Sequence, residues 1–150
     1  MAEVQNIRCT SRGEDGALMF RSPSGEVVMV ISDGVVKQNL SSSATMGISQ
    51  SGMLITCTTD AMIYTLNQCS TQTGVSYTFQ NGANTYGALS FQVQANTTNG
   101  FVGGGIATAV LGSRLTLVKA TATPGDIVSI YNGGSTTWCI DYITGTWTNT

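Results

Sequence analysis

Residues 123–148, T-P-G-D-I-V-S-I-Y-N-G-G-S-T-T-W-C-I-D-Y-I-T-G-T-W-T, hold both tryptophans of the chain and two of its three carboxylates beyond residue 37. Two carboxyl groups about 5–10 Å apart are what glycosidic acid/base chemistry needs, and Asp126 and Asp141 could approach each other across a hairpin. The competing reading is structural: Asp126 follows the Pro124-Gly125 turn, where aspartate bonds the local backbone. The tryptophans could form a sugar-stacking platform. Trp138, however, sits mid-strand with Ile140 and Tyr142 predicted on its own face, which favours core packing with a polar partner for the indole N–H. Trp147 is the better candidate for a contact surface.

Other catalytic arrangements are missing. The chain has no histidine, which excludes a Ser-His-Asp or Cys-His arrangement within one copy. Gly47-Ile48-Ser49-Gln50-Ser51-Gly52 fails the nucleophile-elbow spacing, because its fifth position is serine. Gly103-Gly104-Gly105 fails the dinucleotide fingerprint, because position 108 is threonine, and it reads as a flexible loop. Cys9, Cys57, Cys69 and Cys139 are widely scattered, with no C-x-x-C pair, so buried unpaired thiols are the expectation rather than a zinc site. No enzyme, cofactor or metal is expected.

Charge is sparse and uneven. Charged residues are 9% of the chain, against about 25% in an ordinary domain. Residues 1–37 carry four of the six basic and five of the eight acidic side chains, and between Lys37 and Arg114 only Asp60 is charged. Arg8, Arg12 and Arg21 lie in this charged segment. They read either as solvated loop charges or as donors to a partner's carboxylates. A net charge of −2 with no basic run argues against nucleic-acid binding. No apolar leader or membrane-length run is seen, so synthesis in a cytoplasm, with thiols reduced, is expected.

The elements that must position these residues follow from short-range pattern. Residues 1–16 read as an extended arm. Leu18–Arg21 and Glu26–Ile31 read as a hairpin turned by Ser22-Pro23-Ser24-Gly25 and ended by Asp33-Gly34. Residues 38–52 have linker composition. Beyond them come short runs broken by Gly and Asn, several alternating strictly, as in Val75-Ser76-Tyr77-Thr78-Phe79 and Leu89-Ser90-Phe91-Gln92-Val93. Period-2 alternation predicts strands with one face inward. Residues 104–111 could make a helical turn or two. The expectation is an all-β sandwich or barrel of about seven to nine short antiparallel strands over 53–150, joined by the 38–52 linker to a contact-making arm and hairpin at 1–37.

The run from Ser51-Gly52 to Trp147 resembles a group of small bacteriophage structural proteins. Their later half commonly shows an L-P-x-x-x-x-G-x-x-y-x-F segment and then G-D-x-x-x-l-x-x-d-G-x-x-W-x-v. Here these are Thr65-Leu66-Asn67 with Gly74 to Phe79, then Gly125-Asp126 through Asn132-Gly133, Trp138 and Gly145. Asn67 stands where proline is usual and Asn132 where aspartate is common. Residues 1–50 match nothing in the pattern. The resemblance implies a virion protein, either a capsid decoration (cement) protein or a fibre component. It also implies a homotrimer that partners itself and the major capsid protein, made in the host cytoplasm, with the N-terminal segment, Arg8, Arg12, Arg21 and Trp147 as the contact residues to examine. The rival is a fibre or receptor-binding module that meets a host glycan through its polar loops.

Overall fold

The computed structural model describes residues 8–12, 18–21, 27–31, 36–105, 110–132 and 136–150. The expected turns at 22–25, at Asp33-Gly34 and at 133–135 lie outside the described residues, as do most of the 1–16 arm and the centre of the 104–111 segment. The chain is all-β, 45% strand, with no helix of seven or more residues among those described. It divides into two compact units, Met1–Lys37 and Gln38–Thr150.

The first unit is a three-stranded antiparallel sheet in the order β1 (Arg8–Arg12), β2 (Leu18–Arg21), β3 (Val27–Ile31). The expected hairpin is present, with Leu18 opposite Ile31 and Phe20 opposite Met29. The arm differs from its expectation over residues 8–12, which pair with β2. A lone hairpin leaves both backbone edges unpaired, and β1 satisfies one of them.

The second unit carries eleven strands in two mixed sheets packed face to face. One sheet runs β10 (Gly100–Gly103), β13 (Thr137–Ile143), β12 (Ile127–Tyr131), β8 (Ser76–Asn81), β6 (Leu54–Cys57), β4 (Lys37–Leu40). The other runs β14 (Trp147–Asn149), β11 (Arg114–Leu117), β9 (Phe91–Gln94), β7 (Met62–Leu66), β5 (Ala44–Met46).

From β4 to β12 the chain changes sheet at every step. As a result β5, β7 and β9 stack in parallel on one side, and β6 and β8 do so on the other. Parallel neighbours need a crossover, and here a strand of the opposite sheet provides it, so the chain coils. This corrects the antiparallel expectation. Alternation within a strand reveals its inward face, but it carries no information about whether the next strand pairs alongside or crosses the core.

The strand count is also higher than expected, and residues 38–52 are not a linker. β4 and β5 come from that stretch and form the outermost strand of each sheet. Edge strands are covered on fewer sides, so Gln38, Asn39 and Thr45 are tolerated, and loop-like composition conceals them. Met46, fully buried, is the residue of β5 that seals the core.

The core follows the alternation. Tyr77 and Phe79 of β8, Phe91 and Val93 of β9, and Leu115 and Leu117 of β11 are buried, while Thr78, Gln92 and Thr116 between them are not. Aromatic rings make a continuous spine through it. Trp147 meets Phe91 edge-on at 5.3 Å, Phe91 meets Tyr64 at 6.0 Å, and Tyr64 stacks on Phe79 across the sheets at 5.5 Å. Phe79 then meets Tyr77 at 6.2 Å and Tyr77 meets Trp138 at 5.8 Å. Each such pair adds about 0.5–1.5 kcal/mol beyond its buried area.

The coil gives the sandwich two ends. One end carries the loops at 47–53, 67–75, 95–99 and 132–136, and the other those at 41–43, 58–61, 82–90, 118–126 and 144–146.

Candidate functional site

The structure keeps Asp126 and Asp141 apart. The Asp126 carboxylate is buried at the start of β12, where Oδ2 accepts the Thr123 N–H at 2.7 Å. It packs on Gly145, so closely that a Cβ there would stand 2.5 Å from Cγ. Gly145 also has φ +86°, so both space and backbone demand glycine. Asp141 lies on β13 at its register shift, with Tyr142, Ile143 and Thr144 between it and Gly145. Asp126 is a turn keystone, held by its own turn and by Gly145.

Asp141 has a structural role of its own. β12 and β13 shift register between Ser129 and Ile130: Ile130 faces Ile140, but Ser129 faces Tyr142. Asp141 is the extra residue of a β-bulge, which reverses the alternation beyond it. Tyr142, expected on the inner face with Trp138 and Ile140, therefore points outward and is 56% exposed. Tyr131, 43% exposed, stands on the same outer face opposite Cys139. The Cys139 thiol beside it, with a smaller contribution from Asp141, holds the Tyr131 phenol above its usual range. The result is a neutral aromatic patch with one carboxylate: Tyr131, Cys139, Asp141 and Tyr142. It offers ring faces, a phenol donor and a carboxylate acceptor to a partner. Asp141 read as half of a hairpin pair gave no hint of the bulge, because a bulge has no signature in alternation until its partner strand is known.

The sequence-predicted site residues are placed as follows. Arg8 and Arg12 begin and end β1, Arg21 ends β2, and Arg8 is the direct register partner of Arg21. Trp147 is tied down: its indole N–H donates to the Thr144 carbonyl at 2.7 Å, and its ring meets Phe91 edge-on. It is half-buried and closes one end of the aromatic spine. Trp138 is fully buried as expected, but its N–H finds no partner among the described residues. The threonines near it in sequence alternate away from it.

Thiol chemistry is suppressed inside. Burial pushes the Cys57 thiol up to about 12 and the Cys69 thiol up to about 11, so neither is a thiolate nucleophile at neutral pH. Cys57, Cys69 and Cys139 are free. Among the described residues no group of three His, Cys, Asp or Glu side chains could hold a metal ion, and no helix is long and apolar enough to cross a membrane. Gly103 and Gly104, expected to be flexible, are close-packed instead: a Cβ on Gly103 would lie 3.0 Å from the Ile140 carbonyl oxygen, and one on Gly104 2.7 Å from Ile140 Cγ2.

A set of buried and half-buried amides also escaped the sequence reading. Asn132 Nδ2 donates to the carbonyls of Cys69 at 2.6 Å and Gln72 at 2.9 Å. Asn99 accepts the Cys69 N–H at 3.1 Å and donates to the Thr136 carbonyl at 2.7 Å. Gln72 accepts from the Tyr77 hydroxyl at 3.3 Å, and Asn67 donates to the Met46 carbonyl at 3.0 Å. These side chains pin the 67–75 loop, with its 3-10 turn at Cys69–Thr71, across one end of the sandwich. Asparagine suits position 132 for a chemical reason: its amide N–H groups donate to two carbonyl oxygens that a carboxylate would repel. No protein-family model matches the chain, and no curated protein matches it.

Proposed function

We propose that this chain is a structural protein of a bacteriophage particle, a capsid decoration (cement) protein that binds the outer shell and holds capsomer joints together. The observation that carries the reading is the partition of the chain. Residues 1–37 hold four of the six basic and five of the eight acidic side chains, with Lys37 opening β4, and the charge-poor sandwich beyond holds the other five charges. The small unit is the capsid-binding element. Its outer strands offer backbone edges to which a partner strand can add. Its register sets Arg8 opposite Arg21, and arginine is suited to pair with a partner's carboxylates.

The motif residues that suggest the phage resemblance support the same reading, because those described are scaffold. Gly125 (φ +89°) and Asp126 make the turn, Asn132 and Trp138 fill one end of the core, and Gly145 receives Asp126. The protein acts mechanically, as a homotrimer on the major capsid protein, where several weak contacts gain from multivalency. It is made in the host cytoplasm and resides on the virion.

Co-sedimentation with empty capsids tests this. The full chain should pellet with capsids, and an R8A/R12A/R21A variant should pellet much less while keeping its circular dichroism. Light scattering should give a trimer mass. A full chain that stays in the supernatant overturns the cement reading. The exposed Tyr131, Tyr142 and Asp141 patch favours one second reading, a fibre module that stacks a host glycan on tyrosine rings. Glycan-array binding lost in Y142S would establish it.

A further inference from the structure

The chain contains three Asn-Gly pairs, Asn81-Gly82, Asn99-Gly100 and Asn132-Gly133. In an unrestrained chain this dipeptide deamidates readily, because glycine leaves its own backbone nitrogen free to reach the preceding side chain. That nitrogen loses its proton and attacks Cγ. The new C–N bond closes a five-membered succinimide as the Cγ–Nδ2 bond breaks, and ammonia leaves. Water then opens the ring at either carbonyl to give aspartate or isoaspartate. The net change is amide plus water to carboxylate plus ammonium.

Here all three asparagines are buried, each 2% exposed or less, and each sits at the end of a strand. Asn81 is the last residue of β8, Asn99 precedes β10, and Asn132 follows β12. Every one uses Nδ2 as a donor to a backbone carbonyl: Asn81 to Thr123 at 2.9 Å, Asn99 to Thr136 at 2.7 Å, Asn132 to Cys69 and Gln72. At Asn81 the reaction is blocked from both sides. Oδ1 is held by the Ala83 N–H at 2.9 Å, and the attacking Gly82 N–H is committed to the Cys57 carbonyl at 2.9 Å. At Asn99 the amide is gripped at both atoms, by Cys69 N–H and Thr136 O.

We propose that Asn81, Asn99 and Asn132 are deamidation sites that the native fold holds shut, and that their conversion makes opening of the sandwich irreversible. The product cannot return to the same place. A carboxylate at any of the three positions sets a negative oxygen, in place of an N–H, against a carbonyl oxygen. Isoaspartate also lengthens the backbone by one atom at a strand end. Exposure to conditions that open the fold thus leaves a permanent chemical record in the three linkages between strands and loops.

The test uses the full chain, incubated at 37 °C in one mildly alkaline buffer, with and without guanidinium. Proteolytic peptides are read by mass spectrometry for amide-to-acid conversion at the three sites. Native protein should convert at least about tenfold more slowly than denatured protein at each, since reaction from a closed site tracks the opened population. After dilution from denaturant, the fraction that recovers native tryptophan fluorescence should fall in step with conversion. Equal rates in native and denatured protein overturn the protection. Full refolding of chains carrying acid at these sites overturns the irreversibility.

Discussion

The two ends of the sandwich solve the same problem with different chemistry. Both must satisfy backbone groups where strands stop and loops cross the core. The end with the 67–75 loop is closed by neutral amides, Asn67, Gln72, Asn99 and Asn132, of which the last three are buried. The other end uses one amide, Asn81, and two carboxylates. Asp126 lies buried under Gly145, and Asp60 sits at the surface, taking the Ser90 N–H at 2.9 Å and pairing with Lys119. An amide donates and accepts at once, so it can bridge two carbonyls in a dry place without a counter-charge. A carboxylate only accepts, so it serves where N–H groups are the ones left over.

The comparison breaks most visibly at Asn132. N132D places a carboxylate against the Cys69 and Gln72 carbonyls, and should cost about 3–5 kcal/mol, as for a buried unpaired charge. Urea titration should show a greatly lowered midpoint or no folded state. A loss below about 1 kcal/mol would mean that the amide's donors are dispensable.

The carboxylate end is tested next by G145A. The methyl must enter space held by the Asp126 carboxylate and adopt φ +86°, with an expected loss of about 2–4 kcal/mol from strain and displacement. The double variant G145A/D126A should recover part of that loss if the clash, and not the backbone, dominates.

The surface pair sharpens the contrast between buried and exposed groups. The Lys119 ammonium, with help from the Ser90 N–H, holds the Asp60 carboxyl below the usual carboxylate range. Its folded value is depressed, so its stabilisation is present above the unfolded pKa of about 3.9 and is lost as pH falls through the folded value. Both side chains are largely in water and screened, so D60N should shift the urea midpoint only slightly at neutral pH. Below about pH 4 it should converge on the wild type.

The smallest effect belongs to neither end. Tyr142 is carried out of the core by the bulge at Asp141, so Y142S should stay within about ±0.5 kcal/mol of the parent. A loss of about 3 kcal/mol or more, the cost of emptying a core aromatic site, would restore the unbulged register.

The inward residues of the two strictly alternating runs, 75–79 and 89–93, were legible in the sequence because alternation is local. Val75, Tyr77, Phe79, Leu89, Phe91 and Val93 bury in the predicted order. The structural role of Asp126 was legible for the same reason, since Pro-Gly-Asp is a turn within four residues. The candidate patch was not. Tyr142 joins it through a register shift between two strands, and no residue of β13 alone shows which of its neighbours lacks a partner.

The amide cluster was hidden in a similar way. Asn132 bonds Cys69 and Gln72 from sixty or more residues away, and a buried hub asparagine looks in sequence like any turn asparagine. The edge strands β4 and β5 were hidden by polar composition suited to half-covered positions. Composition and alternation by themselves determined an all-β, charge-poor chain with strands of known inward face, because those depend on each residue and its nearest neighbours. Which strand lies beside which, and so which side chains share a surface, was decided only in the tertiary structure. The crossing of the chain between sheets is fixed by contacts distant in sequence, and no local period encodes it.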